Sequence, residues 1–344
     1  MKVLITGVAG FVGSHCAEYY ALKGAEVYGI DNLIRSRLFS SRKKSVEYNW
    51  EYLTRYRNVR RIKSDLRYPE SFSSLKRIKF NLVIHTAAQP GVGFSLKNPE
   101  DDFHLNVLST FNILEFVRRY SPQATFIYCS TNKVYGTRVS KFKIKECHTR
   151  YKFKNIKGVD EHTGIDLTPH TPYGVSKYVG DIYTQEYSAV YKIKAAVFRM
   201  SCIYGTRQFG FEDQGWLAWF LISGLKHRGI TIYGDGKQVR DVLYISDLVA
   251  AFDKFHHSSL SSEVFNIGGG IDNSISLLEY LEFLEENFGI KFRVRFKDWR
   301  LYDQRVYISD ITKLNTKLNW KPKVDYREGV VKLYTWVKKN INLF

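Results

Sequence analysis

Near its start the chain reads Lys2-Val3-Leu4-Ile5-Thr6-Gly7-Val8-Ala9-Gly10-Phe11-Val12-Gly13, an apolar run that leads into three glycines. Apolar residues then recur at helical spacing over 12–22, and a second apolar run covers 26–30, so this stretch predicts a β-α-β unit. Glycines at such a turn permit a positive φ, admit a pyrophosphate close to the backbone and let the helix pack on the strand. The helix N-terminus adds amide donors for phosphate. This unit is therefore predicted to bind a dinucleotide.

The alternation of strands and helices continues along the chain. Further strands are predicted at 59–63, 81–86, 125–129 and 195–200, with helices at 105–120 and 173–191. Nearly continuous apolar strands separated by helices indicate a parallel sheet covered on both faces. The predicted fold class is therefore α/β, with a Rossmann-type doubly wound parallel sheet.

The pattern changes after residue 202. A helix at 216–225, a Gly-Asp-Gly turn and two amphipathic helices near the C-terminal end predict a smaller α+β lobe. We expect the dinucleotide-binding domain to cover 1–202, with about 242–262 returning to it, and 203–344 to form mainly a substrate-binding lobe. The segment 137–172 fits neither pattern and is long enough to be a functional loop.

Composition excludes several classes of protein. With 344 residues, 44% hydrophobic and 25% charged, the chain is an ordinary folded protein rather than a disordered one. The net charge of +18 is spread along the sequence, which favours a solvated basic surface over a specific nucleic-acid site. The four cysteines form no C-x-x-C pair, so neither a metal site nor a disulfide framework is expected. No membrane span or signal peptide is predicted, and we expect a cytoplasmic protein.

Two acidic positions bear on the dinucleotide. Asp31 closes the second predicted strand, where a carboxylate can accept both ribose hydroxyls and repel a 2′-phosphate. This favours NAD over NADP, and the alternative is a turn aspartate before Asn32. Asp65 and Leu66 follow the third strand, where they either flank the adenine or form a simple strand-end turn.

Tyr173 and Lys177 form the candidate catalytic pair. They are four residues apart at the start of a predicted helix, so their side chains share one face. A nearby ammonium stabilises a phenolate, and we expect Lys177 to bring the pKa of Tyr173 toward the neutral range. Ser130 and Thr131 end a strand at the carboxyl edge, where doubly wound sheets bind ligands. A hydroxyl there can hydrogen-bond the substrate oxygen that the tyrosine deprotonates.

These features together resemble the extended short-chain dehydrogenase/reductases, specifically their nucleotide-sugar epimerase and dehydratase group. The resemblance covers essentially the whole chain. It narrows to the CDP-paratose 2-epimerases, also called CDP-tyvelose epimerases, through the blocks Ser130-Thr131-Asn132-Lys133-Val134-Tyr135-Gly136, Gly158-Val159-Asp160-Glu161, Thr171-Pro172-Tyr173-Gly174-Val175-Ser176-Lys177, Arg207-Gln208-Phe209, Asp213-Gln214-Gly215-Trp216, Gly236-Lys237-Gln238-Val239-Arg240-Asp241-Val242-Leu243 and Asp303-Gln304-Arg305-Val306.

The resemblance implies a bound NAD that is reduced and reoxidised in each turnover, a homodimer formed through two helices, and Thr131, Tyr173 and Lys177 as catalytic residues. The expected cofactor-binding residues are Gly7, Gly10, Phe11, Val12, Gly13, Asp31, Asn32, Asp65, Leu66, Ala87, Ala88, Asn106, Ser130, Tyr173 and Lys177. The expected ligands of a CDP-sugar substrate are Thr131, Asn132, Arg207, Gln214, Lys237, Arg240 and Arg305, and ion pairing is the alternative role of the arginines.

The expected reaction type follows from two residues. Sugar 4,6-dehydratases of this group carry an Asp-Glu pair directly after the catalytic threonine, whereas this chain has Asn132 and Lys133 there. Neither can act as a carboxylate acid or base, so epimerisation by oxidation and re-reduction of one carbon is expected. That this carbon is C2 comes from the resemblance alone. The alternatives are a UDP-hexose or UDP-hexuronate 4-epimerase and a catalytically silent relative that binds RNA through its positive charge.

Overall fold

The computed structural model describes residues 1–38 and 43–344. In chain order its strands are β1 (Lys2–Thr6), β2 (Glu26–Asp31), β3 (Val59–Lys63), β4 (Leu82–His85), β5 (Thr125–Thr131), β6 (Ile144–Glu146), β7 (Tyr151–Phe153), β8 (Ala195–Met200), β9 (Cys202–Tyr204), β10 (Ile230–Tyr233), β11 (Val239–Tyr244), β12 (Ser262–Ile267), β13 (Ser274–Ser276), β14 (Val294–Lys297) and β15 (Val306–Tyr307). Its α-helices are α1 (Phe11–Leu22), α2 (Arg35–Leu38), α3 (Lys43–Tyr52), α4 (Val92–Lys97), α5 (Pro99–Phe103), α6 (Ser109–Tyr120), α7 (Pro172–Tyr191), α8 (Trp216–Leu225), α9 (Ile245–His257), α10 (Leu277–Phe288), α11 (Thr312–Leu318) and α12 (Tyr326–Lys339).

A seven-stranded sheet forms the centre of the first part of the chain. Its strand order is β12-β8-β5-β4-β1-β2-β3, and β1 pairs in parallel with β2 on one side and with β4 on the other. The direction of winding therefore reverses between β1 and β4, which is the switch point where doubly wound sheets bind ligands. The predicted Rossmann-type doubly wound sheet is confirmed.

The hydrophobic core of this sheet fixes the strand ends that carry the site. Val83 on β4 and Phe126 on β5 are completely buried, and they pack in one cluster with Ile113 and Val117 of α6. Burial of each such side chain contributes about 1.5–3 kcal/mol to folding. Helix α6 begins directly after a π-helical turn, His104–Leu108, so the predicted helix at 105–120 has two helical geometries.

Contacts divide the chain into two compact units. The first unit comprises Met1–Val134, Pro172–Arg199 and Val249–Phe265, and the second comprises Tyr135–Thr171, Met200–Leu248 and Asn266–Phe344. The sequence-based boundaries placed 135–171 in the first domain and the returning segment at about 242–262. The segment joins the second unit because its own contacts lie there: Tyr135 donates a hydrogen bond to Asn266 at 2.8 Å, and Val159 pairs with Ser309.

The second unit is a mixed α/β structure, in agreement with the expected α+β lobe. Strand β11 pairs in parallel with β9 and β15 and antiparallel with β13, while β10 pairs with β14. A small core of Tyr151, Val239, Val306 and Ile308 lies beside β11. The segment 137–172 is not entirely a loop, because β6 and β7 form an antiparallel hairpin within it.

The part of the chain that the structure describes has neither a membrane-spanning helix nor a cluster of metal ligands. No helix there is long and apolar enough to cross a membrane. No group of three or more His, Cys, Asp or Glu side chains there is placed to hold a metal ion.

Candidate active site

The glycine turn joins the end of β1 to the start of α1. Gly7 has φ +70°, and its amide donates to the carbonyl of Ile30 at 2.8 Å. A Cβ on Gly13 would lie 2.2 Å from the Gly7 carbonyl oxygen, and a Cβ on Gly7 would lie 2.7 Å from the Ala87 backbone. The turn can therefore close only without side chains at these positions. It places the open amides of the α1 N-terminus, beginning at Phe11 and Val12, beside the switch point.

Asp31 ties this turn to the end of β2. Its two carboxylate oxygens accept hydrogen bonds from the amides of Ala9 at 2.9 Å and Leu33 at 2.8 Å. Burial raises the pKa of Asp31, whereas these two bonds and the charge of Arg35 lower it. Each oxygen keeps a second lone pair, which allows the carboxylate to accept ribose hydroxyls as well.

The other residues expected near the adenine are already engaged. Asp65 is bound by Arg67 at 2.8 Å and receives a hydrogen bond from the Asn32 side-chain amide at 3.0 Å. Leu66 lies in the hydrophobic core, and its carbonyl accepts from Asn112. These contacts agree with the strand-end turn that was the alternative for Asp65 and Leu66.

A buried polar network follows β4. Asn106 holds the backbone of Gln89, because its Oδ1 accepts the Gln89 amide at 2.7 Å and its Nδ2 donates to the Gln89 carbonyl at 3.1 Å. The same Nδ2 lies within hydrogen-bond distance of Asp102 and of Ser176 on α7. Asn106 thus holds the loop that contains Ala87 and Ala88. Asp102 was missed, and its position on the helical face four residues before Asn106 is the signal that could have found it.

Thr131 and Tyr173 meet at the carboxyl end of β5. Tyr173 lies in the first turn of α7, whose start is held by a hydrogen bond from the Tyr173 amide to Ser95 at 3.1 Å. The Thr131 side chain lies near enough to the Tyr173 hydroxyl to lower its pKa. Lys177 follows one helical turn later and is 3% exposed. The structure therefore brings the three predicted catalytic residues together.

The ionisation of this cluster differs from the expectation. Burial raises the pKa of Tyr173 to about 12, against the lowering effect of the Thr131 hydrogen bond. Burial also lowers the pKa of Lys177 to about 8, although Cys129, Asp102 and Asp181 raise it. The prediction that Lys177 brings the phenol pKa toward neutrality is wrong for the protein chain by itself, because both groups are desolvated. The phenol needs further positive charge to ionise near neutral pH.

Ser130 and Asn132 flank Thr131 and differ in their surroundings. The Ser130 hydroxyl donates to the Asp181 carboxylate at 3.1 Å, so its first partner is protein. Asn132 is buried beside Thr131, with 3.4 Å between its Oδ1 and the threonine hydroxyl. Its amide can contact a ligand but cannot move a proton as a carboxylate would.

The predicted substrate arginines lie in the second unit. Arg240 is bound to Asp303 at 2.7 Å, whereas Arg305 is exposed and lies over the rings of Tyr151 and Trp299 at 5.5 and 5.4 Å. The ion pair of Arg240 corresponds to its alternative role. The exposed guanidinium of Arg305 keeps its donors available, since contact with a ring face uses none of them.

Three further residues of the second unit were expected to contact substrate. Arg207 is buried with φ +58°. The backbone of Gln214 exchanges two hydrogen bonds of 2.9 Å with Phe211, and the Lys237 amine binds Glu146 at 2.6 Å. Arg300, in the same segment as Arg305, lies over the ring of Tyr233 at 4.2 Å and forms an ion pair with Asp213 at 3.0 Å.

The fold and this cluster define an enzyme that binds a dinucleotide on a Rossmann-type sheet and carries a tyrosine–lysine pair with a neighbouring threonine. The chain belongs to the NAD dependent epimerase/dehydratase family, whose model matches residues 3–268. It is therefore an NAD-dependent enzyme of the nucleotide-sugar epimerase group. Membership of this family confirms the prediction of NAD as cofactor.

Its relatives cover nearly the full chain. It is 38% identical to the CDP-paratose 2-epimerase of Salmonella typhi, over 98% of this chain and 99% of that protein. It is 29% identical to the UDP-glucuronate 4-epimerase of Thermodesulfobacterium geofontis, over 99% and 97%. The crystal structure of UDP-glucuronic acid 4-epimerase from Bacillus cereus, in complex with UDP-glucuronic acid and NAD, matches with a TM-score of 0.81 at 27% identity, covering 99% of this chain and 100% of that one.

Proposed function

We propose that this protein epimerises the C2 carbon of a CDP-hexose of the paratose and tyvelose type. The observation that carries the proposal is the cluster of Thr131, Tyr173 and Lys177 with Asn132 and Lys133 where a dehydratase has carboxylates. The choice of C2 and of a cytidine nucleotide is supported by the 38% identity with a CDP-paratose 2-epimerase.

The residues of the first unit fit NAD. The cradle at Gly7, Gly10 and Gly13 excludes side chains, and Asp31 keeps lone pairs for the ribose hydroxyls. Phe11 and Val12 would present the helix amides to the pyrophosphate, with Ala87, Ala88 and Asn106 lining the next loop. Bound NAD would supply the hydride acceptor and donor that the reaction needs, together with the positive charge of its oxidised ring.

The chain's own residues move the proton and hold the sugar oxygen. Tyr173 accepts the proton of the C2 hydroxyl at its Oη, and Thr131 holds the same oxygen by a hydrogen bond. Lys177 stabilises the phenolate by its charge, and it becomes effective once added positive charge has lowered the phenol pKa. The 2-keto sugar so formed must present both faces in turn, so the hexose needs fewer fixed contacts than the nucleotide.

We propose that Arg305 and Arg240 bind the pyrophosphate of the nucleotide. A guanidinium donates two parallel hydrogen bonds to phosphate oxygens, and Arg305 has its donors exposed. Arg240 would either exchange its bond with Asp303 for one with phosphate, or keep the Asp303 bond and so orient the segment that carries Arg305. Arg207, Gln214 and Lys237 remain predicted contacts of the nucleotide or hexose.

Isotope placement tests the function. A CDP-hexose with deuterium at C2 and a UDP-hexose with deuterium at C4 are supplied in parallel to the purified holoenzyme. We expect inversion at C2 of the CDP-sugar with a primary isotope effect, and no inversion at C4 of the UDP-sugar. Inversion at C4 with a C4 isotope effect would establish the second candidate, a UDP-hexose or UDP-hexuronate 4-epimerase, which the similarity to UDP-glucuronate 4-epimerase supports.

We also propose that the protein is a homodimer that forms through α6 and α7. Phe111 on α6 and Ile182 and Tyr183 on α7 are 40–44% exposed, and Phe103, the last residue of α5, is 53% exposed. The rings of Phe111 and Tyr183 contact each other edge to face at 6.1 Å, so the apolar surface is continuous across the two helices. A second copy that presents the same helices would cover it.

The cytoplasm remains the predicted location.

A further inference from the structure

The buried amine of Lys177 lies against an aromatic ring that the proposed mechanism does not use. Its nitrogen is 4.3 Å from the centroid of the Tyr128 ring, and Tyr128 has no exposed surface. A ring face attracts an ammonium, and the attraction is strongest where water is excluded. This contact is therefore placed to keep the amine charged in a desolvated position.

The carboxylates around Lys177 stabilise its charged form less than their number suggests. Asp102 on α5 and Asp181 on α7 act on it from a distance, as does the Cys129 thiol on β5. Asp181 is already neutralised by Arg199 at 2.8 Å. Within the described ranges no carboxylate forms an ion pair with Lys177. The Tyr128 ring is thus the electron-rich group in direct contact with the amine.

Tyr128 itself is held rigidly. Its hydroxyl donates to the Lys177 carbonyl at 3.2 Å, and Gly180 makes room for it, since a Cβ there would lie 2.3 Å from the hydroxyl oxygen. The ring of His85 on β4 stacks on the Tyr128 ring at 5.8 Å. His85 is fixed in turn by the hydroxyls of Thr6 at 2.7 Å and Thr110 at 3.0 Å.

His85 adds packing to this stack without adding charge. Burial lowers its pKa to about 3, and the charge of Lys177 lowers it further, so the imidazole is neutral at physiological pH. Neither His85 nor Tyr128 is among the site residues predicted from the sequence. The stack joins the His85 ring of β4 to the Tyr128 ring of β5, which in turn contacts the Lys177 amine.

We infer that Tyr128 is a positioning residue whose ring, stacked against His85, keeps the amine of Lys177 charged and in place, one helical turn along α7 from Tyr173. The inference rests on the proposed role of Lys177 in catalysis. A desolvated contact of this kind corresponds to a change of about tenfold in the protonation equilibrium of the amine. Removing the ring should therefore favour the neutral amine and reduce the fraction of the pair that exists as phenolate and ammonium.

Three variants separate the ring from the hydroxyl and from general packing. Tyr128→Leu removes the ring, and Tyr128→Phe keeps it while removing the hydroxyl. Phe126→Leu is the matched control, because Phe126 is equally buried on the same face of β5 and also stacks on His85, at 6.3 Å. Two readouts are followed: the titration of the Lys177 amine by NMR of lysine labelled with carbon-13 at Cε, assigned with Lys177→Met, and the pH dependence of kcat and KM.

For Tyr128→Leu we expect the Lys177 titration to move down by about one pH unit and kcat to fall about tenfold with little change in KM. Tyr128→Phe should keep the parental Lys177 titration and the parental kcat, and Phe126→Leu should leave the Lys177 titration unchanged. If Tyr128→Leu does not fold, trifluorophenylalanine at position 128 keeps the shape and weakens the ring face, and the same downward shift is expected relative to unfluorinated phenylalanine.

An unchanged Lys177 titration on removal or fluorination of the ring would overturn the inference. So would an equal shift in Phe126→Leu or in Tyr128→Phe, because packing or the hydroxyl would then be responsible. The NMR titration needs no sugar substrate, so its outcome is independent of whether the enzyme acts on C2 of a CDP-hexose.

Discussion

Asp181 and Arg199 form a buried ion pair, with 2.8 Å between the carboxylate Oδ2 and the guanidinium Nε. The aspartate side chain is completely buried and the arginine side chain is 5% exposed. Ser130 donates to the same carboxylate oxygen, and Gln185 donates to the other oxygen at 2.7 Å. The contacts of Asp181 therefore fix α7 to β8 through Arg199 and to β5 through Ser130. Asp181 lies one helical turn after Lys177, so they also hold the part of α7 that carries the catalytic lysine.

Breaking that pair should destabilise the fold strongly. Asp181→Asn leaves the Arg199 guanidinium buried without a counter-charge, and we expect it to lower the free energy of unfolding by about 3–5 kcal/mol. Urea denaturation followed by circular dichroism measures this. Replacing both residues, with Asp181→Leu and Arg199→Met, should cost less than Asp181→Asn alone. Lys23→Met, in a more exposed pair with Asp253, is the control, with an expected change of about 0–1 kcal/mol.

Asp31 and Asp65 should differ in their effect on cofactor binding. Asp31→Ala removes the acceptor of the Ala9 amide and of the ribose hydroxyls, so NAD should bind about tenfold or more weakly. Asp65→Asn should have a smaller effect on NAD, because this carboxylate is bound to Arg67 and Asn32. Isothermal titration of NAD into cofactor-free protein compares the two. Equal losses in both variants would restore Asp65 as a direct ligand.

The sequence predicted the parts of this molecule that local patterns determine. Strand β1 and the glycine turn follow from an apolar run and three glycines, and Tyr173 and Lys177 follow from helical spacing. The contacts of Asp181 with Arg199 could not be predicted, because they join residues of α7 and β8 whose pairing depends on packing. The direction of the Tyr173 pKa shift was mispredicted for the same reason. It depends on how much solvent the fold removes from the phenol, and residue spacing does not reveal this.

The proton transfer assigned to Tyr173 gives a kinetic prediction. Tyr173→Phe removes the acceptor of the hydroxyl proton, and kcat should fall by about 10²–10⁴-fold while nucleotide binding is retained. In the parent enzyme the phenol pKa is raised by burial, so its phenolate fraction, and with it the rate, should increase as pH rises through neutrality. Stopped-flow absorbance of the reduced cofactor reports the oxidation step. A variant that oxidises substrate at the parent rate would remove Tyr173 from the mechanism.

His85 should make the fold sensitive to acid. Its pKa is lowered to about 3 by burial and by Lys177, whereas an unfolded histidine titrates near 6.5. As pH falls below about 6.5 the unfolded chain gains a proton that the folded chain does not, so this residue reduces stability by up to about 1.4 kcal/mol per pH unit. His85→Gln should therefore show a shallower loss of unfolding free energy with acid than the parent. His148→Gln, at an exposed position, should follow the parent slope.

Charge on the exposed apolar helices should prevent association of two copies. Ile182→Glu places a carboxylate in the surface formed by Phe111 and Tyr183, where a partner would have to desolvate it. We expect sedimentation-velocity analysis to show a dimer for the parent and a monomer for this variant at the same concentration. Leu167→Glu, at a residue 96% exposed in the second unit, is the control and should leave the dimer intact. A parent that sediments as a monomer, or an Ile182→Glu variant that still dimerises, would show that this surface is not the interface.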